Sequence, residues 1–88
     1  MDVRLILYNL ESCPECRAIR EKLAELELTY VCANVNPVKV KREELFRVTG
    51  QYSVPVLIDG DKILTSADNI LEYIVKTYAH DVIKPVKY

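Results

Sequence analysis

Two cysteines three residues apart, Cys13 and Cys16, are the residues of this sequence best suited to chemistry. They flank Pro14 and Glu15 at the point where an apolar run gives way to a helical pattern. At the start of a helix, this spacing puts the two Cα atoms about 5–6 Å apart, which a disulfide bond can bridge. The pair therefore predicts a dithiol that can close to a disulfide and open again.

The two thiols are expected to differ in exposure and in acidity. Cys13 falls at the predicted N-terminus of a helix, where unpaired N–H groups and the positive end of the helix dipole favour a thiolate. Cys16 begins the apolar stripe of the same helix, so its thiol should be shielded. In a dithiol cycle, the first thiolate forms a mixed disulfide with the substrate and the second thiol resolves it. We therefore expect Cys13 to attack and Cys16 to resolve.

A metal site is the alternative use of this cysteine pair. Tetrahedral zinc needs two more ligands, and the other candidates of the usual kind are Cys32 and His80. Cys32 falls in a predicted strand and is interpreted as a small core residue, whereas His80 is interpreted as a solvated cation at a helix end. Because the sequence has no second CxxC and no HxxxH, a zinc site ranks below redox chemistry. An iron–sulfur cluster shared between two chains is a further alternative of low rank.

Alternating apolar runs and helical periodicity predict the elements that position the cysteine pair. Short apolar runs predict strands at residues 3–8, 29–33, 56–58 and 63–64. Helical patterns begin at residue 16 and recur over residues 41–49 and 67–79. The order is thus βαβ, a helix, a β-hairpin and a last helix. A βαβ start implies parallel strands with a right-handed crossover, and Asp59-Gly60 is a strong hairpin signal.

Each predicted helix has an apolar face that should be buried. The first helix is expected to bury Cys16, Ile19, Leu23 and Leu26. The last helix is expected to bury Ile70, Leu71, Ile74, Val75 and Tyr78. Leu45 and Val48 should anchor the helix between them, and Thr65 or Ser66 should cap the last helix.

Length and composition limit the remaining possibilities. The 88 residues are expected to form a single domain, 1–88, with 83–88 as a loose tail. Half of the residues are hydrophobic, which excludes intrinsic disorder, and a net charge of −1 gives no basic excess for binding nucleic acid. The longest apolar runs have four or five residues, whereas a membrane span needs about 20. We expect a cytoplasmic monomer that binds neither membrane nor nucleic acid.

Three segments together resemble a glutaredoxin, and they are also similar to the N-terminal thioredoxin-like domain of glutathione S-transferases. They are the CPEC motif, the run TGQYSVPV over residues 49–56, and residues 59–74. The resemblance covers residues 3–79 and implies a thioredoxin-like, three-layer α/β/α fold with a four-stranded mixed sheet. It also implies a cis peptide bond at Val54-Pro55 and an extended substrate segment that pairs with the backbone of Val54.

The activity implied by the resemblance is that of a dithiol–disulfide oxidoreductase. Such a protein reduces protein or low-molecular-weight disulfides and receives electrons from glutathione, another thiol or a thioredoxin reductase. Because the thiols carry the electrons, no tightly bound cofactor is expected. The alternative is a transferase-like thiol-binding or regulatory module without turnover. Transferases typically use Ser, Tyr or a single Cys, and 88 residues leave no room for their helical second domain.

The glutathione site implied by the resemblance is only partly present. Leu10 and Tyr52 stand where many glutaredoxins have Lys and Arg, and Asn69 stands where many have Asp. Glu15 replaces a common aromatic residue and adds negative charge beside the thiolate. We therefore expect weak glutathione binding, unless Lys39, Lys41 or Arg42 supplies a cation. The residues expected to contact glutathione or substrate are Pro14, Glu15, Val54, Pro55, Ala67 and Asp68.

Ala67 and Asp68 enter this set because they begin the last predicted helix. Free N–H groups at a helix N-terminus can hold a carboxylate such as that of glutathione. For Asp68, capping of the helix by its own side chain is an equally good interpretation.

Overall fold

The strands and helices follow the order that the sequence predicts. The computed structural model describes residues 4–79. Its strands are β1 (Leu5–Asn9), β2 (Val31–Asn34), β3 (Val56–Asp59) and β4 (Lys62–Leu64). Its α-helices are α1 (Pro14–Glu25), α2 (Glu43–Thr49) and α3 (Ala67–Tyr78), and a 3₁₀ turn at Lys39–Lys41 precedes α2. The expected tail at residues 83–88 and the candidate ligand His80 lie outside the described residues.

The four strands form one mixed sheet in the order β2-β1-β3-β4. β1 runs parallel to β2 and antiparallel to β3, and β3 and β4 form the expected antiparallel hairpin. Helices cover both faces of this sheet, so the thioredoxin-like three-layer α/β/α fold is confirmed. Within residues 4–79, none of the helices combines the length and the apolar character needed to cross a membrane.

Two apolar clusters, one on each face, follow from the alternation of side chains along the strands. Between the sheet and helices α1 and α3, the buried residues are Leu5, Leu7, Ile19, Leu23, Leu57, Ile70 and Ile74. On the opposite face, which α2 covers, they are Tyr8, Leu45 and Val56. The predicted stripe of α1 is confirmed at Cys16, Ile19 and Leu23, which are fully buried.

The prediction that Cys32 is a core residue is wrong, because its side chain is exposed. Cys32 lies opposite Leu7 in the parallel register, but β2 is at the edge of the sheet. Val31, beside it, is 47% exposed. An edge strand lacks a second neighbour, so its side chains receive less cover than those of β1.

Three details of the helices also differ from the prediction. Val75 is 42% exposed, because it lies one residue, or about 100° of helix rotation, beyond the buried Ile74. The helix expected over residues 41–49 is interrupted at Arg42, whose ψ of 68° is not helical. Ser66 occupies the N-cap position of α3, but its side chain makes no capping hydrogen bond.

A buried carboxylate, Asp59, joins the end of β3 to α3 and to the segment before β1. It is 2% exposed and accepts hydrogen bonds from Tyr73 Oη and Tyr78 Oη at 2.6 Å each and from Arg4 Nε at 3.0 Å. Burial alone would raise the pKa of Asp59, but these three donors outweigh burial and hold the pKa below its ordinary value. The network therefore stabilises the ionised carboxylate.

We expect Asp59→Asn to lower the free energy of unfolding at pH 7 by about 2–3 kcal/mol, because it removes the charge that three donors satisfy. Since the folded pKa lies below the unfolded value, this stability is complete above about pH 5 and is lost as the pH falls through the folded pKa. Urea unfolding of both proteins from pH 7 to pH 2 measures the difference.

The matched control is Asp61→Asn, because Asp61 is exposed in the same hairpin. This control should leave stability almost unchanged at every pH. If the difference between wild type and Asp59→Asn stayed constant down to pH 2, the charge of Asp59 would not be its cause.

Candidate functional site

The sheet topology brings three loops to one of its ends. Residues 10–13 follow β1, residues 52–55 precede β3, and residues 65–68 follow β4. Because β1 and β3 are antiparallel, with Tyr8 opposite Val56, the first two loops lie at the same end, and the hairpin returns the third loop there. These loops contain the predicted site residues Cys13, Val54, Pro55, Ala67 and Asp68.

Cys13 is the N-cap of α1, and Pro14 is the first helical residue, where proline costs no hydrogen bond. The Cys13 Sγ atom accepts a hydrogen bond from the backbone N–H of Cys16 at 3.2 Å. The Cys13 N–H donates to the Leu10 carbonyl at 3.0 Å. The sulfur is partly exposed and occupies the position at which a helix N-terminus stabilises negative charge.

Cys16 differs from Cys13 in its surroundings. Its side chain is fully buried, and both cysteines are free thiols. Burial, opposed by the nearby Leu10 N–H, raises the pKa of Cys16 to about 12. The two thiols are therefore an accessible sulfur at the helix terminus and a protonated sulfur inside the core.

A polar network that the sequence analysis missed holds the start of the cysteine loop. Asn9, the last residue of β1, is fully buried and donates to Asn34 Oδ1 at 2.8 Å. Arg20 of α1 donates to Asn9 Oδ1 at 2.6 Å, and the Asn9 carbonyl accepts from the Val35 N–H at 2.9 Å. A buried polar residue at the end of an apolar strand, four residues before the CxxC, was the signal available in the sequence.

The Val54-Pro55 peptide bond is cis, as the resemblance implied. Pro55 is buried and Val54 is half-buried. Within residues 4–79, neither the N–H nor the C=O of Val54 has a hydrogen-bond partner. This residue therefore leaves one donor and one acceptor free at the end of the sheet that also holds Cys13.

Arg42 does not supply the cation that we considered for glutathione, because its guanidinium is turned inward. It is 8% exposed and donates to the backbone carbonyls of Asn36 and Tyr52 at 2.7 and 2.9 Å. The ring of Tyr52 stacks on Phe46 of α2, with ring centroids 4.6 Å apart. Tyr52 is therefore occupied by structural contacts of its own.

The start of α3 leaves its first N–H groups available. Among the described residues, the N–H groups of Ala67 and Asp68 have no acceptor, as is usual in the first turn of a helix. The exposed side chain of Asp68 makes no hydrogen bond with residues 4–79, so the structure has no capping bond from it. Glu15 is likewise exposed on α1 and has no ion pair in that range.

Cys32 is separate from the cysteine pair in its contacts. Its thiol donates to Asn34 Oδ1 at 3.8 Å on the exposed edge strand. Across residues 4–79, no group of three or more His, Cys, Asp and Glu side chains is placed to hold a metal ion.

A family model described as "Glutathione S-transferase, N-terminal domain" matches residues 7–81, and the match includes all three loops. This chain belongs to that family. The geometry agrees with the match, since the resemblance implied a four-stranded mixed sheet and a cis bond at Val54-Pro55, and the structure has both.

Two curated relatives differ in the share of their own length that this chain covers. A stringent starvation protein A homolog from Pasteurella multocida is 31% identical over 93% of this chain, but this chain spans only 38% of that protein. An uncharacterized glutaredoxin-like 8.6 kDa protein of the Clostridium pasteurianum rubredoxin operon is 34% identical over 66% of this chain, and this chain covers 79% of that protein. The second relative is therefore closer to this chain in length.

Solved structures similar to this chain include a glutathione transferase homolog and a glutathione transferase. A Drosophila mojavensis homolog solved with bound glutathione is 34% identical, with a TM-score of 0.79 over 88% of this chain and 36% of its own length. Glutathione transferase E6 of Drosophila melanogaster is 32% identical, with a TM-score of 0.75 over 84% of this chain and 34% of its own length. This chain thus spans about one third of these transferases.

We expect the three thiols to react with iodoacetamide in an order set by exposure. At pH 7.5 the reduced protein should be alkylated at Cys13 and Cys32, with Cys16 at least about tenfold slower, because Cys16 is buried and its thiol stays protonated. Peptide mapping by mass spectrometry at timed intervals measures each rate. In 8 M urea the three rates should converge. Alkylation of native Cys16 as fast as Cys13 would contradict the described burial.

Proposed function

We propose that this protein is a thiol–disulfide oxidoreductase that uses Cys13 and Cys16. The observation that carries this proposal is the contrast between the two sulfurs. Cys13 is accessible at a helix N-terminus, and Cys16 is buried three residues later with a pKa near 12. A dithiol cycle needs one sulfur that meets the substrate and a second that reacts only after the first is engaged.

The proposed reaction transfers two electrons from the dithiol to a substrate disulfide. The Cys13 thiolate attacks one substrate sulfur, the substrate S–S bond breaks, and the departing substrate thiolate takes up a proton. Cys16 then loses its proton to solvent and attacks Cys13 Sγ in the mixed disulfide, which breaks the bond between Cys13 and the substrate. The second substrate sulfur leaves as a thiolate and takes up a proton. The products are a Cys13–Cys16 disulfide and a substrate dithiol, so the protein is oxidised as the substrate is reduced.

The free backbone groups of Val54 support a polypeptide as the substrate. An extended segment can add to such an edge through one donor and one acceptor. The same end of the sheet carries the exposed acids Glu15 and Asp68. The Glu15 carboxylate beside the thiolate disfavours glutathione, whose two carboxylates outnumber its single ammonium, and favours disulfides in neutral or basic segments.

The oxidised protein must be returned to the dithiol by an external donor. We propose glutathione, another small thiol or a thioredoxin reductase for this step, with no bound cofactor, in a reducing cytoplasm. The protein would act as a monomer, since the proposed cycle uses residues of one chain. Neither nucleic acid nor membrane enters the proposed cycle.

A second function is supported by the match to the stringent starvation protein A homolog. In that case the domain would be a transferase-like thiol-binding or regulatory module without redox turnover. The two functions differ in whether the reduced protein consumes a disulfide. Incubation with an oxidised peptide and quantification of released thiol separates them.

We expect Cys13→Ser to abolish disulfide reduction, because it removes the attacking sulfur. Cys16→Ser should instead accumulate a mixed disulfide at Cys13, since no thiol remains to resolve it. Mass spectrometry before and after dithiothreitol identifies this adduct. As a matched control, Cys32→Ala should keep most activity and change stability by no more than about 0.5 kcal/mol, because Cys32 is exposed. Adducts at Cys16 in Cys13→Ser would reverse the assigned roles.

We expect Leu10→Lys to increase the rate at which glutathione reduces the oxidised protein. The added cation would pair with a glutathione carboxylate and raise the rate about two- to fivefold, since an exposed ion pair contributes at most about 1 kcal/mol. Stopped-flow measurement of the wild type, Leu10→Lys and the uncharged control Leu10→Gln provides the comparison. If the wild type reacts as fast as Leu10→Lys, the missing cation is irrelevant.

A further inference from the structure

The guanidinium of Arg42 is buried but has no carboxylate partner within the described range, residues 4–79. Its three acceptors are backbone carbonyls: Asn36 at 2.7 Å, Tyr52 at 2.9 Å and Pro37 at 3.4 Å. A buried charge is tolerated only when hydrogen bonds satisfy it. Because the donors of a guanidinium form a rigid planar fork, the positions of these carbonyls are fixed relative to one another.

The three carbonyls belong to two segments that are distant in the sequence. Asn36 and Pro37 follow β2, whereas Tyr52 lies two residues before Val54. Arg42 itself is the N-cap of α2, so its side chain ties both segments to the start of that helix. Arg42 thus connects the loop before β3 to the segment after β2 and to the start of α2.

The loop before β3 has few other long-range restraints. Among residues 4–79, Gln51 bonds only within the loop or to Thr49, through Thr49 Oγ1 at 3.1 Å and the Ser53 carbonyl at 3.2 Å. Tyr52 is held by Phe46 at its ring and by Arg42 at its carbonyl. The side chain of Val54 also packs against the cluster of Tyr8, Leu45 and Val56. The orientation of the peptide units between Tyr52 and Pro55 therefore depends on the two contacts of Tyr52 and on this packing.

We propose that Arg42 is a positioning residue that presents the free N–H and C=O of Val54 to a polypeptide substrate. This inference rests on the proposed function, and it names Arg42 as the residue that sets the protein's preference for polypeptide substrates. Both free groups of Val54 must point outward together for an extended segment to pair with them. By fixing the Tyr52 carbonyl, Arg42 limits rotation of the chain between Tyr52 and the buried Pro55.

Arg42 does not act on the thiols in this proposal. Cys13 is held by α1 and by the Leu10 carbonyl, and none of the contacts of Arg42 involves the cysteine loop. A small disulfide such as 2-hydroxyethyl disulfide has no peptide backbone and requires only Cys13 and Cys16. Loss of Arg42 should therefore affect polypeptide substrates and spare small ones.

The test compares Arg42→Met and Arg42→Lys with the wild type on two substrates, an oxidised polypeptide and 2-hydroxyethyl disulfide. Arg42→Met should raise KM for the polypeptide about tenfold with kcat within about twofold, and leave the small disulfide unchanged. The KM of Arg42→Lys for the polypeptide should lie between those of the wild type and Arg42→Met, because one ammonium cannot span three carbonyls. Arg47→Met, at an exposed arginine of α2, is the matched control and should change neither substrate.

Equal losses on both substrates, or a change in Tm alone, would overturn the proposal, because Arg42 would then be merely structural. Should Arg42→Met fail to fold, Arg42→Lys carries the same comparison. A second measurement avoids turnover: the Kd of the oxidised polypeptide for Cys13→Ser/Cys16→Ser protein, with and without Arg42→Lys. Weaker binding with lysine supports the proposal, and equal or absent binding overturns it. If the wild type reduces neither disulfide, the proposed function fails while this Kd still decides the role of Arg42.

Discussion

The burial of β1 is the constraint on which the rest of the structure depends. This strand is paired on both edges and covered on both faces, with Leu7 fully buried and Tyr8 nearly so. Because side chains alternate between faces, a shift of one residue in register would exchange the two apolar clusters. The position of Asn9 at the end of β1 is therefore fixed by packing, and Cys13 follows only four residues later.

At the end of β1, hydrogen bonds hold the chain in place where apolar packing ends. Asn9 is tied to Arg20 and Asn34 through its side chain and to Val35 through its carbonyl. The chain then turns into α1, with the N-cap sulfur of Cys13 outside. Because the stripe of α1 must pack on the sheet, Cys16 falls inside. The difference between the two thiols is thus a consequence of where the helix begins relative to its apolar face.

The sequence predicted the features that depend on local signals. The order of the elements along the chain, the helix that follows the first strand and the hairpin at Asp59-Gly60 follow from apolar runs, helical periodicity and turn residues, and the structure has them. The exposure of Cys32 was not predictable, because only the assembled sheet decides which strand lies at an edge. The orientation of Arg42 was also not predictable, since its acceptors come from segments up to ten residues away.

In the part of the chain that the structure describes, the buried charged groups are Asp59 and Arg42, and they lie at opposite ends of the sheet. Asp59 lies opposite Leu5 at the start of β1, whereas Tyr52 and Val54 precede Val56, which lies opposite Tyr8. The four residues from Val56 to Asp59 span three rises of about 3.3 Å each, so these ends are about 10 Å apart. Groups this far apart with no shared partner contribute nearly independently to stability. The Asp59 network can therefore stabilise the packing of α3 without altering the thiols at the other end of the sheet.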